Sequence, residues 1–160
     1  PICSIAFEAE REERNVMSRP PRSVAERLFT WRTWTISLLQ GFGVLAIVLG
    51  ALLLARSRGA REEEARALAF TTLVAGNLTM VLSNRSWSRG LLATLREPNR
   101  AMVVMFAATL AVLALALSVP SLTRLFRFGV LTKFDMGVVV IGSALGLLWC
   151  ELLKRLRGRR

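Results

Sequence analysis

Few side chains in this sequence have types and spacings that could do chemistry, and the sharpest of them is an amide. Asn77 stands inside the uncharged run 67–84. If that run crosses a bilayer, the amide lies deep in hydrocarbon, where it is costly without a partner and is a functional candidate by default. Two chemistries are open to it. It can close an interhelical hydrogen bond, or its carbonyl oxygen can ligate a hard cation without adding charge. Near the start, Glu8, Glu10, Glu12 and Glu13 form an acidic run, which reads either as a solvated loop or as a functional one. Other chemistries are excluded. There is no histidine and no tyrosine, and the two cysteines, Cys3 and Cys150, are far apart. A histidine-based triad and a Cys/His zinc cluster therefore have no residues to build them. A phosphate loop of the form G-x-x-x-x-G-K-[ST] is also absent.

The elements that must position Asn77 come from hydropathy. The 160 residues are 53% hydrophobic, with a mean hydropathy of +0.46, and the apolar residues come in unbroken runs rather than periodic stripes. Thr33 to Ala55 is 23 residues without a charge, and Ala101 to Thr123 is another 23. Each reaches roughly 34 Å as a helix, enough to cross a hydrocarbon core of about 30 Å. Two weaker runs, 67–84 and 136–150, complete the set and suit a bundle whose neighbours satisfy polar side chains. The expected fold is all-α: an integral membrane bundle of four transmembrane helices behind a short cytoplasmic loop. The loop and an interfacial helix occupy 1–32, and the transmembrane domain occupies 33–160. Its spans are expected at about 33–55, 66–84, 101–120 and 134–153.

The net charge of +11 reports topology. With both ends cytoplasmic, 15 of the 22 Lys and Arg residues lie inside and 7 outside, the bias that orients membrane proteins. The expectation is a multi-pass plasma-membrane protein with lipid as a partner. Nucleic acid is not expected, because the basic residues are distributed among the loops instead of forming one stripe with aromatics. The lead-in is polar, with Pro20 and Pro21 breaking any continuous helix. Ser23 and Glu26 have a capping-box spacing, so a short interfacial helix is expected over Val24 to Arg32. No signal peptide is visible. The first residue is Pro1, and the chain reads as a piece of something longer.

Helical arithmetic sorts the faces. In the first run Gly43, Ala46 and Gly50 share a side and are expected to pack. Gly142 and Gly146 have a G-x-x-x-G spacing in the last. In the second run Ala69, Thr72, Gly76, Thr79 and Ser83 fall within about 80° of one another, and Asn77 lies about 120° from their centre. The small stripe reads as a packing face, and Asn77 must look elsewhere. Asp135 suits a helix N-terminus, and Glu151 is expected to pair with Arg155.

Taken in order, these residues resemble the C-terminal third of the P-type cation-transporting ATPases, in the branch of the calcium and sodium pumps. Pro1-Ile2-Cys3-Ser4-Ile5-Ala6-Phe7-Glu8-Ala9-Glu10 and Val16-Met17-Ser18-Arg19-Pro20-Pro21-Arg22 are similar to the family's loop between the sixth and seventh helices, M-x-R-P-P-R being a specific signal. Arg66 to Val74 resembles the start of the eighth helix, Asn84-Arg85-Ser86 the turn after it, and Phe134 to Lys154 the tenth helix with its basic end. The resemblance implies a parent pump that binds ATP and Mg elsewhere, since D-K-T-G and T-G-E-S are absent from this segment. It implies that the segment alone is no enzyme and holds no cofactor. Its implied partners are the remainder of the pump, meaning the ion-carrying helices and cytoplasmic domains, and the transported cation. It places Asn77 where two-site calcium pumps have an eighth-helix carboxylate, so that a single-site pump is the better expectation. It also makes Glu8 and Glu10 candidates for linking ion binding to phosphorylation. The alternative is a free-standing four-helix membrane protein, acting as a regulatory or interaction module without transport chemistry. A small transporter is disfavoured, because the four runs hold no Asp, Glu, Lys or Arg.

Overall fold

In the computed structural model the described residues are 30–84 and 100–158. They form α1 (Trp31–Ser57), α2 (Glu62–Asn84), α3 (Arg100–Ser118), α4 (Pro120–Phe126) and α5 (Lys133–Gly158), with no strand among them. α1, α2, α3 and α5 are long and apolar enough to cross a membrane, so the chain is the all-α four-span bundle that the hydropathy predicts. Their 27, 23, 19 and 26 residues correspond to roughly 40, 34, 28 and 39 Å. The expected interfacial helix over Val24 to Arg32 lies largely outside the described residues.

Local chemistry sets the helix ends. α1 closes in a Schellman motif: Gly59 takes φ +73°, and the Gly59 and Ala60 amides donate to Arg56 and Ala55 carbonyls at 3.0 Å. α2 starts a turn before its uncharged run, because the Glu64 carboxylate accepts from the Arg61 backbone amide at 3.2 Å. Glu62, Glu63 and Glu64 together occupy its positive end. The run 101–123 is not one helix. Pro120 holds Val119 extended, at φ −80° and ψ 118°, since the proline ring disfavours a helical predecessor. α3 therefore stops at Ser118, and α4 restarts with proline in its first turn. α4 closes in a second Schellman turn at Arg127, whose φ is 52°, with the Phe128 amide donating to Thr123 at 2.8 Å. The chain then folds back over α2, where the Gly129 amide donates to the Glu63 carbonyl at 2.9 Å.

α1, α2 and α5 pack on one another around Ala51, Ala55, Ala65, Leu68 and Val139. Several contacts are knobs from α1 set into notches on its partners. Val44 meets Gly76, and Ile47 meets Gly142 so closely that a Cβ there would lie 2.9 Å from Ile47 Cγ2. This corrects the expected packing face of α1. Of its small residues only Gly43 is used, by Trp149, whose ring leaves no room for a Cβ; Ala46 and Gly50 are exposed. The buried stripe is Ile36, Gln40, Val44, Ala51 and Ala55. Val44 and Ile47 of α1 fill the notches that α2 and α5 offer, and Ala51 and Ala55 let the backbones approach closely. α3 stands apart. It buries only Met105 and Ala116 and meets α2 mainly where Met105 touches Leu78.

Candidate functional site

α2 presents two unlike faces. Thr72, Gly76 and Ser83 are buried against α1 and α5, as the small stripe predicts. Thr72 turns its hydroxyl back onto the Leu68 carbonyl at 2.8 Å, while the buried Thr71 hydroxyl has no hydrogen-bond partner among the described residues. The Asn77 side chain is exposed and hydrogen-bonds to none of the described residues. Phe70 and Leu73, seven and four residues earlier on the same face, are exposed beside it. The three-helix core thus leaves the amide open. Alone it supplies one neutral oxygen, whereas calcium takes about six to eight. Among the described residues no group of three His, Cys, Asp or Glu comes together. A cation at Asn77 would need ligands from outside the described residues. Glu8 and Glu10 fall outside them too.

Around this face the core is laced at both ends. At one end Gln40 of α1 and Asn84 of α2 exchange reciprocal amide hydrogen bonds of 3.1 and 3.2 Å. Next to them the Ser83 hydroxyl donates to the Glu151 carboxylate at 3.1 Å. Lys154 donates both to that carboxylate, at 3.0 Å, and to the Ser83 carbonyl. The Trp149 indole donates to the Leu39 carbonyl at 2.9 Å. At the other end Arg58, just past α1, pairs with Asp135 of α5 at 3.2 Å and lies 3.8 Å over the Phe134 ring. Asp135 and Thr132 cap α5 reciprocally, the Thr132 amide donating at 2.9 Å and the Asp135 amide at 3.3 Å.

Two readings of the sequence change here. Glu151 pairs with Lys154, not with Arg155. Its carboxylate turns inward to Ser83, and Lys154 shares that side with only 8% of its side chain exposed, while Arg155 faces out. Asp135 does more than favour a helix dipole, since it ties α5 to the end of α1. The T-x-x-D spacing of Thr132 and Asp135 carries a capping signal, as does the i, i+3 spacing of Glu151 and Lys154 a pairing one. Gln40 and Asn84 gave no local signal.

A family model described as the C-terminus of cation transporting ATPases matches residues 1–156. Calcium-transporting ATPase 1 of Lactococcus lactis subsp. lactis (strain IL1403) is 26% identical over 160 residues, covering 98% of this chain and 18% of that protein. The chain therefore spans less than a fifth of the length of this curated relative.

Proposed function

The chain belongs to the family of cation-transporting ATPase C-termini, and from that premise we propose that it is the membrane support bundle of an ion pump. In this reading α1, α2 and α5 form a rigid frame, and the ion-carrying helices, contributed by the rest of the protein, dock on the open face of α2. The frame helps couple ion movement to ATP hydrolysis, with ATP and Mg bound in the parent's cytoplasmic domains. The observation that carries the proposal is the placement of Asn77: exposed and without a partner among the described residues, opposite a stripe locked into the core. Calcium is the first cation to test, given the relative's name. Replacing a carboxylate by an amide at this position favours one ion site over two.

In the full-length protein, Asn77→Ala should weaken apparent cation affinity roughly 5–30-fold, the effect of losing one neutral ligand or its hydrogen bond. The assay is the calcium dependence of phosphorylation by ATP. Thr72→Ala, on the locked stripe, should lower the thermal midpoint more than the affinity. An Asn77→Ala protein with unchanged calcium dependence would remove the residue from the ion path. The same assay on the isolated segment should show no phosphate uptake. Glu8 and Glu10 are assigned to the coupling loop, a role read as ATP hydrolysed per cation moved when both become glutamine. Both termini are assigned to the cytoplasmic side of the plasma membrane, where 15 of 22 basic residues would then lie. A cysteine placed at Ser57 should label from outside intact cells and one at Ser86 should not, both in a background lacking Cys3 and Cys150.

A further inference from the structure

Between α2 and α3 runs an apolar groove of about 450 Å³, walled by Phe70, Val74, Val112, Ala116, Leu122 and Phe126 among others. Its lining is almost wholly apolar, and a hydrocarbon chain fits it. At the end nearest α4 a second, polar cleft of about 310 Å³ is lined by Arg61, Glu62, Glu63, Arg66 and Arg127. The two share no lining residue, but their walls adjoin. Arg66 lies one turn before Phe70 on the same face of α2, and Arg127 directly follows Phe126. Phe128 stacks between Phe70 and Phe126, at 5.1 and 5.5 Å, and forms the sill.

The charges in the cleft are partly spent. Arg66 pairs with Glu62 at 2.7 Å and Arg61 with Glu64 at 2.9 Å. Arg127 and Glu63 make no ion pair among the described residues. That leaves one cation and one anion in one cleft beside a slot for one chain. The guanidinium suits a phosphate, which it can grip bidentately, and the carboxylate suits a group that donates N–H bonds. The Arg127 backbone sits at the left-handed turn that closes α4, with its side chain exposed. We propose that groove and cleft together bind one ethanolamine phospholipid, with an acyl chain along α2 and α3, its phosphate on Arg127 and its ammonium on Glu63. A trimethylated headgroup has no N–H for Glu63, and a headgroup bearing only negative charge sets that carboxylate against an anion. The site depends on the bundle lying in a membrane and is independent of which ion the parent moves.

The test is native mass spectrometry of the full-length protein, stripped of lipid and then offered dioleoyl phosphatidylethanolamine, phosphatidylcholine or phosphatidylglycerol. One phosphatidylethanolamine should be retained about tenfold better than either competitor. Arg127→Gln, in the exposed turn, and Val112→Trp, which fills the groove from a residue 66% exposed, should each lower that retention about tenfold. Glu63→Gln should erase the preference over phosphatidylcholine. Equal retention of the three lipids by the wild type overturns the proposal, and so does retention unchanged in both Arg127→Gln and Val112→Trp. A photoreactive residue at position 112 should capture lipid; capture of a peptide from another part of the same protein gives the groove to a helix instead.

Discussion

α3 and α5 are the third and fourth helices long enough to cross a membrane, and they sit in the molecule very differently. α3 is the more uniformly apolar, with Thr109 as the sole polar residue between Ala101 and Leu117. That hydroxyl is already satisfied by its own Met105 carbonyl at 2.8 Å. α5 carries Asp135, Ser143, Glu151 and Lys154, together with the notches at Gly142 and Gly146. The less hydrophobic helix is the one drawn into the core. In water the order would reverse, because burial of apolar area drives packing. In lipid the tails are as apolar as leucine, so association follows close-packed small residues and interhelical polar bonds. Hydropathy decides whether a helix crosses; its small and polar residues decide what it touches.

The strongest way to break this contrast is to remove a polar tie from α5. Glu151→Ala takes the acceptor from the Ser83 hydroxyl and one acceptor from the buried Lys154 ammonium. Losing one partner of a buried charge pair is worse than losing both, so the change should cost about 2–4 kcal/mol. It would be read as a fall in thermal midpoint of the full-length protein in a fixed detergent. Adding Lys154→Met to Glu151→Ala should restore part of the loss, because it removes the ammonium that had faced the Glu151 carboxylate. An Glu151→Ala protein as stable as wild type would mean that the Ser83 end of the bundle is held by other contacts.

Much of this arrangement was legible in the residues. Charge-free length identified the crossing helices, but it ran the third through Pro120, where α3 has already ended and α4 begins. The 3.6-residue period alone separates Asn77 from the stripe of Thr72, Gly76 and Ser83. Ties that join distant segments were not legible. Gln40 and Asn84 are 44 residues apart, and Ser83 and Glu151 are 68 apart; nothing local in the sequence pairs them. The packing side of α1 failed to show for a related reason. Gly43, Ala46 and Gly50 make a sound notch, but the chosen face depends on what α2 and α5 offer, and they offer notches of their own. Asn77 follows the same logic. Its outward placement is local geometry, and its role depends on helices that other parts of a parent protein would supply.

The smallest expected effect sharpens the contrast from the other side. Val104 on α3 is 67% exposed, and its neighbour Met105 makes the contact with Leu78. Val104→Ala removes two methyl groups that face only lipid tails if α3 is peripheral. Lipid refills that space at no loss of packing, so the midpoint should correspond to a change within about 0.5 kcal/mol of wild type. Alanine also has the higher helix propensity, which offsets part of any loss. A destabilisation rivalling that of Glu151→Ala would show that another part of the full-length protein covers this face. α3 would then be a buried helix of the assembled protein, and its sparse contacts with α2 would reflect a partner on its other side rather than the lack of small and polar ties.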